Sequence, residues 1–416
     1  MTHSDCFAVA KRLLPLSEAL ALIAHRVQPV TGEETISLDQ ALGRVLANPL
    51  VASLSQPPFV SAAMDGFALR FAELAGAGRR MKVAARIAAG HPLDSAPPPG
   101  SAVQIFTGAP LPEGFDTVVM QEDCSLDADH VLLPEGVIQG SHVRQAGIDF
   151  KPGDRLLPAG RRLRPQDIGI AAALGLDRIT VRRRLRIGLF STGDELVAPG
   201  QSLAPGQIYD SNRPMLRAAL TAMGFEVRDL GRLPDQLDSL VTAFGLNALD
   251  HDVLVSTGGV SVGGEDHVRT AIEKLGQIHF WKLAIKPGKP LALGHIGQAA
   301  FLGLPGNPVS SLVSLLMAGR ALLHHLAGAG PEAALPPPMM IPSASEIKRG
   351  GNRQSFLRAS LADKDGRLCA LPYFSQDSSL ISSLVESGGL IELDCGTEPV
   401  KIGEPVAFHL YESLLR

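Results

Sequence analysis

The stretch Asp252-Val-Leu-Val-Ser-Thr-Gly-Gly-Val-Ser-Val-Gly-Gly-Glu-Asp-His267 limits the possible folds of this chain more than any other. Its apolar run at 253–255 predicts a buried strand that stops at Ser256-Thr-Gly-Gly259, and a helical pattern begins near Asp266. A strand, a glycine loop and a helix start form the repeating unit of an open α/β sheet. There such a loop lies at the carboxyl end of a strand, where ligands bind. Four glycines let the backbone approach a ligand closely, and free N–H groups near the helix start favour an anion. The Lys-Ser or Lys-Thr of an ordinary nucleotide-phosphate loop is missing, as is the G-x-G-x-x-G spacing. A tight turn with Asp266 as a plain helix N-cap explains the loop nearly as well.

The surroundings support the α/β reading. From Ile187 to about Ala327, candidate strands at 186–190, 226–230, 253–255 and 300–303 alternate with candidate helices at 215–223, 236–248, 268–275 and 309–327. Upstream, helical spacing runs through Leu20, Leu22 and Ile23. After Thr31-Gly32 it continues through Leu38, Ala41, Leu42, Val45 and Leu46. Short alternating segments at 81–85, 101–105, 117–121 and 129–133, separated by Gly/Pro turns, read as an inserted β domain. A further helix is expected at 167–176. The basic run 178–186 reads as a solvated linker or edge strand. Beyond the stiff Leu335-Pro-Pro-Pro338 tract, strands at 355–361, 368–371, 390–393 and 405–410 make a small β domain. The expected division is a helical domain of 1–56 and 142–180, the inserted β domain 57–141, an α/β domain 181–331 and a C-terminal β domain 332–416.

A chain of 416 residues exceeds what one core usually spans, so several domains are expected. The formal net charge of −4, with only three Tyr and one Trp, speaks against a nucleic-acid binder. Cys6, Cys124, Cys369 and Cys395 form no C-x-x-C pair, which suits a reducing, cytoplasmic setting. The N-terminus lacks the pattern of a signal peptide. The most apolar stretch, 308–327, carries Arg320, His324 and His325 and so reads as a core helix, with no membrane partner expected.

Polar groups fall where the strands end. Ser191-Thr-Gly-Asp-Glu195 follows one strand, Tyr209-Asp-Ser-Asn212 and Asp235 precede helices, and Glu265 and Asp266 close the glycine loop. Several carboxylates at loop ends suit Mg²⁺, whose shell is oxygen and which bridges phosphates. N-capping accounts fully for Asp210 and Asn212, and for Asp235 as well. Trp281-Lys-Leu-Ala-Ile-Lys-Pro-Gly-Lys-Pro290 offers Lys282, Lys286 and Lys289. A spacing of four puts the first two on one face of either a strand or a helix. Gly303-Leu-Pro-Gly-Asn-Pro308 is a second glycine turn into a helix.

Six ordered motifs together resemble a known family. They are Ser61-Ala-Ala-Met-Asp-Gly-Phe-Ala68, Phe106-Thr-Gly-Ala-Pro110, Ser191-Thr-Gly-Asp-Glu-Leu196, Ser256-Thr-Gly-Gly-Val-Ser-Val-Gly263 with Asp266, Lys286-Pro-Gly-Lys-Pro290 and Leu304-Pro-Gly-Asn-Pro-Val-Ser310. The set is similar to the molybdopterin molybdenumtransferases, relatives of the C-terminal domain of gephyrin, from about residue 15 to the end. The resemblance implies a multidomain α/β and β fold: a helical domain with an inserted β domain, a three-layer α/β/α molybdopterin-binding domain with a mostly parallel sheet, and a C-terminal β-barrel. The reaction it implies is Mg²⁺-dependent hydrolysis of adenylyl-molybdopterin with release of AMP and insertion of molybdate into the dithiolene. It also implies a homodimer with a shared cleft, and contact with the upstream molybdopterin adenylyltransferase and downstream molybdoenzymes.

Carried over residue by residue, the resemblance makes Asp65, Thr107, Glu195, Asp266, Lys282 and Lys286 catalytic, with Glu195 and Asp266 on the metal. Asp65 and Thr107 would reach the cleft from the partner subunit. Substrate would be held by Thr192, Gly193, Asp194, Ser256, Thr257, Gly258, Gly259, Ser261, Gly263, Lys289, Pro305, Gly306, Asn307 and Ser310. Asp149 and Asp235 match family acidic positions less closely. Near the C-terminus the chain departs from the family pattern at Gln376-Asp-Ser-Ser379 and keeps only part of it across Gly351-Asn-Arg-Gln-Ser-Phe-Leu-Arg358, so Arg353, Arg358 and Ser378 are not carried over. A scaffold or cofactor-handover protein of the same fold is the alternative from another functional class.

Overall fold

A computed structural model of the chain describes residues 12–258, 267–288, 290–348 and 351–416. Two compact units result. One is Pro49–Pro158 with Gly169–Leu176, and the other takes the rest of the chain.

The larger unit is built on a seven-stranded sheet whose order, by first residue, is Leu13, Gly276, Pro290, Ala299, Val253, Arg186, Glu226. The strands Arg186–Thr192, Glu226–Leu233, Val253–Thr257 and Ala299–Leu304 are mutually parallel. Gly276–Leu283 and Pro290–Ile296 join as an antiparallel extension. Both faces of the central strands are covered, which is why Arg186–Thr192, Val253–Thr257 and Ala299–Leu304 are almost wholly buried, while the edge strand Glu226–Leu233 stays polar and partly exposed. Successive residues alternate between two cores: Ile187, Leu189, Val253, Val255 and Leu302 face one, Phe190, Leu254 and Phe301 the other. The first core is packed by the helices Leu16–Arg26, Asn212–Ala222 and Pro308–Leu326, the second by Leu237–Asp250 and His267–Leu275. The outcome is three layers, α/β/α.

The apolar helix Pro308–Leu326 is long enough to cross a membrane, but 89% of its most apolar 18-residue stretch is buried inside the protein. It is the central core helix, with a wide π turn at Leu315–Gly319. After residues 335–338, which carry no regular structure, the strands Met339–Pro342, Gln354–Lys364, Arg367–Pro372, Gly389–Leu393 and Pro405–Leu410 pair around a separate core. A bridge between Ser343 and Ala370 closes these five into a small barrel.

In the smaller unit, six strands run in the order Thr117, Gly66, Ser101, Arg80, His130, Ser125 by first residue. One face packs Ala68, Val103, Ile105 and Val118, the other Phe67, Leu69, Ala102 and Val119. Gly66 opens a strand directly after Asp65, and a Cβ there would collide with the Val119 carbonyl.

Two expectations fail. The second helical run does not form: beyond the short turn Leu38–Gln40, Gly43 takes φ +73, and the amides of Gly43 and Leu46 donate to the carbonyls of Leu163 and Arg161. Val45 and Leu46 are buried by these strand-like bridges, while Leu42 is exposed; the apolar spacing was fortuitous. Lys282 and Lys286 do not share one element's face. The chain leaves the large sheet after Leu283, and Ile285–Lys286 pairs with Gln354 and Ser355 of the barrel.

Candidate functional site

Strand register brings the site together. Ser191 is level with Thr257, and Thr257 with Leu304, so the next residues of three neighbouring strands form one rim. That rim surrounds a cavity of about 450 Å³, lined by Thr192, Gly193, Glu195, Asp235, Gly258, Pro290, Pro305, Gly306, Asn307 and Ser310. This size suits a small-molecule ligand. Gly258 has φ +82, and a Cβ on it would lie 2.8 Å from the Thr192 carbonyl oxygen, so only glycine lets the loops approach this closely.

Beneath the rim a polar network fixes the strand tips. Asp210, only 2% exposed, accepts from Ser191 Oγ at 2.6 Å and from Arg213 Nε at 2.9 Å, and Arg213 also pairs with Asp229. Asn212 Nδ2 donates to Thr257 Oγ1 at 2.9 Å and to the Gly306 carbonyl, tying two rim loops together. Neither residue is merely a helix cap. Three shielded acceptor-capable atoms, Thr192 Oγ1, Asn212 Oδ1 and Ser256 Oγ, have no hydrogen-bond partner in the protein. Leaving such groups unpaired is costly, which fits a strand-tip region meant to meet a polar ligand. The helix from Pro308 points its N-terminus here, adding the partial positive charge that favours a phosphate.

Of the residues expected from sequence, Thr192, Gly193, Glu195, Gly258, Pro305, Gly306, Asn307 and Ser310 line this cavity, joined by Asp235 and Pro290. Ser256 and Thr257 are buried in the strand that leads to it. Asp194 is turned to solvent and pairs with Arg232 at 3.5 Å. Lys282 is exposed opposite Pro290 in the ladder. Gly259, Ser261, Gly263, Asp266 and Lys289 lie outside the described residues. In the smaller unit, Asp65 accepts from the Thr107 amide at 2.8 Å and its hydroxyl at 2.7 Å. Those two donors, the amide first, hold the Asp65 carboxyl below its usual range. Asp149 is exposed in the same unit.

Lys286 lines a second cavity of about 570 Å³ with Lys348, Arg353, Ser355, Arg358 and Gln376. Arg358 is fully buried. Its Nη2 donates to the carbonyls of Ser375 (3.2 Å) and Asp377 (2.8 Å), and its Nε to Ser383 Oγ at 3.1 Å. It thereby shapes the loop that delivers Ser378 to Asn307. Sequence reasoning set Arg358 and Ser378 aside and read Asn212 as a cap. An asparagine at the start of a helix in a chain with two glycine loops at strand ends was the only available signal.

Among the described residues no three His, Cys, Asp or Glu cluster tightly enough to cage a metal. Glu195 and Asp235 nevertheless share the cavity. Two carboxylates fit Mg²⁺, which fills its remaining positions with phosphate and water oxygens.

Three family models match in order: "MoeA N-terminal region (domain I and II)" over residues 14–175, "Probable molybdopterin binding domain" over 188–325, and "MoeA C-terminal region (domain IV)" over 341–411. The chain is 36% identical over 97% of its length to the whole of the molybdopterin molybdenumtransferase of Haemophilus influenzae. It is 35% identical over 95% of its length, and 98% of the relative's, to that of Synechococcus elongatus. This chain belongs to the molybdopterin molybdenumtransferase family. It is therefore an enzyme of molybdenum cofactor biosynthesis, as the motifs implied. Its fold agrees: the moeA protein of Pyrococcus horikoshii OT3 superposes with a TM-score of 0.78 at 26% identity, covering 96% of this chain and all of that one.

Proposed function

We propose that the strand-tip cavity hydrolyses adenylyl-molybdopterin and that molybdate is inserted in the same reaction sequence. The observation that carries this reading is the convergence of Glu195, Asp235, three glycine turns and a helix N-terminus around one cavity. Water adds to one phosphorus of the phosphoanhydride, the bridging oxygen leaves with the other phosphate, and AMP departs. Two Mo–S bonds then replace one oxo ligand of molybdate, whose oxygen leaves as water with the two thiol protons.

In this scheme the rim amides and the helix N-terminus orient the phosphates, and Glu195 with Asp235 or Asp266 holds Mg²⁺. When bound, the metal would neutralise phosphate charge. Lys282, Lys286 and Lys289 supply cations for the oxyanion. The hydrogen bonds that fix Asp65 to Thr107 support a role for this pair as an ordered donor and acceptor set in a partner subunit's cleft. A homodimer, contact with the adenylyltransferase and with recipient molybdoenzymes, and a cytoplasmic setting belong to the same reading. The free state of Cys124, Cys369 and Cys395 suits the last.

Purified protein incubated with adenylyl-molybdopterin, Mg²⁺ and molybdate should release AMP in a molybdate-dependent manner, and Asp266→Asn should abolish this while the fold persists. Full activity in that variant would remove Asp266 from the site. No AMP release from the unaltered protein would overturn the reading.

A further inference from the structure

The Arg186–Thr192 strand ends at the rim, but its beginning borders a different cavity. Five arginines, Arg44, Arg162, Arg182, Arg183 and Arg184, line it together with His324. Three are neutralised: Arg44 by Glu34, Arg182 by Glu33 at 3.5 Å, and Arg183 by Asp252 through two 2.7 Å hydrogen bonds. Arg162 and Arg184 have no carboxylate within 4 Å among the described residues. Arg162 donates to the carbonyls of Gly43 (3.2 Å) and Met223 (2.9 Å), and Arg184 to that of Gly224 (3.3 Å).

Two of those carbonyls close the helix Asn212–Ala222. A helix end supplies only about half a negative charge, against two full guanidinium charges. The surplus is felt: burial and then the neighbouring Arg184 lower the pKa of Arg162, and burial and then Arg162 bring Arg320 down to about 10. A second, independent sign is His324. It is 2% exposed, and its Nε2 has no hydrogen-bond partner in the protein. An unpaired buried ring nitrogen and an uncompensated pair of cations thus border one space.

That space offers about 20 Å³. A single water-sized species needs roughly 10–15 Å³ by the same measure, so the space matches one small ion better than a tetrahedral oxyanion. We propose that this cavity binds one small monovalent inorganic anion of halide size, held by Arg162, Arg184 and His324. The bound ion ties together five stretches of chain: residues 43–45, residue 162, residues 182–185, the end of the Asn212–Ala222 helix and the Arg320–Leu326 turn of the core helix. Because it binds only the folded chain, it stabilises the fold by mass action.

The test is thermal unfolding of the full chain at constant ionic strength, with sodium chloride replacing sodium gluconate. A saturable rise in Tm is expected, and Arg184→Gln, an exposed position outside the catalytic site, should weaken the apparent chloride affinity about tenfold. Crystals grown in bromide should show an anomalous peak between Arg162 and His324. A chloride response that is missing, or unchanged in Arg184→Gln, overturns the proposal. Sulfate stabilising as strongly as chloride overturns its size limit.

Discussion

Asn307 Nδ2 lies 3.1 Å from Ser378 Oγ, and the amide of Val309 donates to the Ser378 carbonyl at 3.2 Å. The residue at the start of the Pro308 helix therefore spends its side chain on a barrel loop and makes no cap bond of its own. One wall of the cavity is latched from outside the α/β layers.

Ser378→Ala removes that side-chain bond, worth about 0.5–1.5 kcal/mol. We expect KM for adenylyl-molybdopterin to rise a few fold with kcat nearly unchanged. The double variant with Asn307→Ala should be no worse than Asn307→Ala alone. Strictly additive effects on kcat/KM in a double-mutant cycle would show that the latch does not matter.

Asp210→Ala should be among the most damaging substitutions. It strips a buried carboxylate from Arg213, itself only 11% exposed, and frees Ser191. Breaking a buried pair of this kind costs about 3–5 kcal/mol. Urea unfolding measures it, and a loss under 1 kcal/mol would mean that Asp229 alone suffices for Arg213.

Gly258→Ala combines a left-handed backbone with a contact that no side chain tolerates. The strain is about 1–3 kcal/mol. Activity should fall further than the drop in Tm explains, since the rim loops must part. Equal kcat in the two proteins would argue against a tight rim.

Thr107→Val keeps the backbone donor to Asp65 but deletes the hydroxyl donor, so the Asp65 pKa should climb toward the ordinary carboxylate value. The sign for stability follows. A carboxyl lowered on folding contributes stability above its unfolded pKa, and that contribution is lost as pH falls through the folded value. Carboxyl NMR titration reads the shift, and an unmoved midpoint in the valine variant would mean that the hydroxyl bond contributes nothing.

Much of this architecture was legible in the chain. Segments buried on both faces announce themselves by apolar runs, 253–255 within Val253–Thr257 and the whole of Ala299–Leu304, and 101–105 and 405–410 by alternation between turns. The failures had one cause, long-range pairing. Val45 and Leu46 are apolar because Arg161 and Val181 cross them, not because they line a helix. Rim positions were readable as glycine turns at strand ends. The part played by Asn212 depends on Thr257 and Gly306, 45 and 94 residues away, and no local pattern encodes such a partnership.

The short pairing of Ile285 and Lys286 with Gln354 and Ser355 has an evolutionary consequence. A lysine adjoining the α/β layers is stationed by hydrogen bonds to the terminal barrel, so neither module can drift in sequence without retuning the other. A version of this chain given a foreign barrel by recombination would keep the strand-tip rim but lose both the Ser378 latch on one wall and the register that stations this cation.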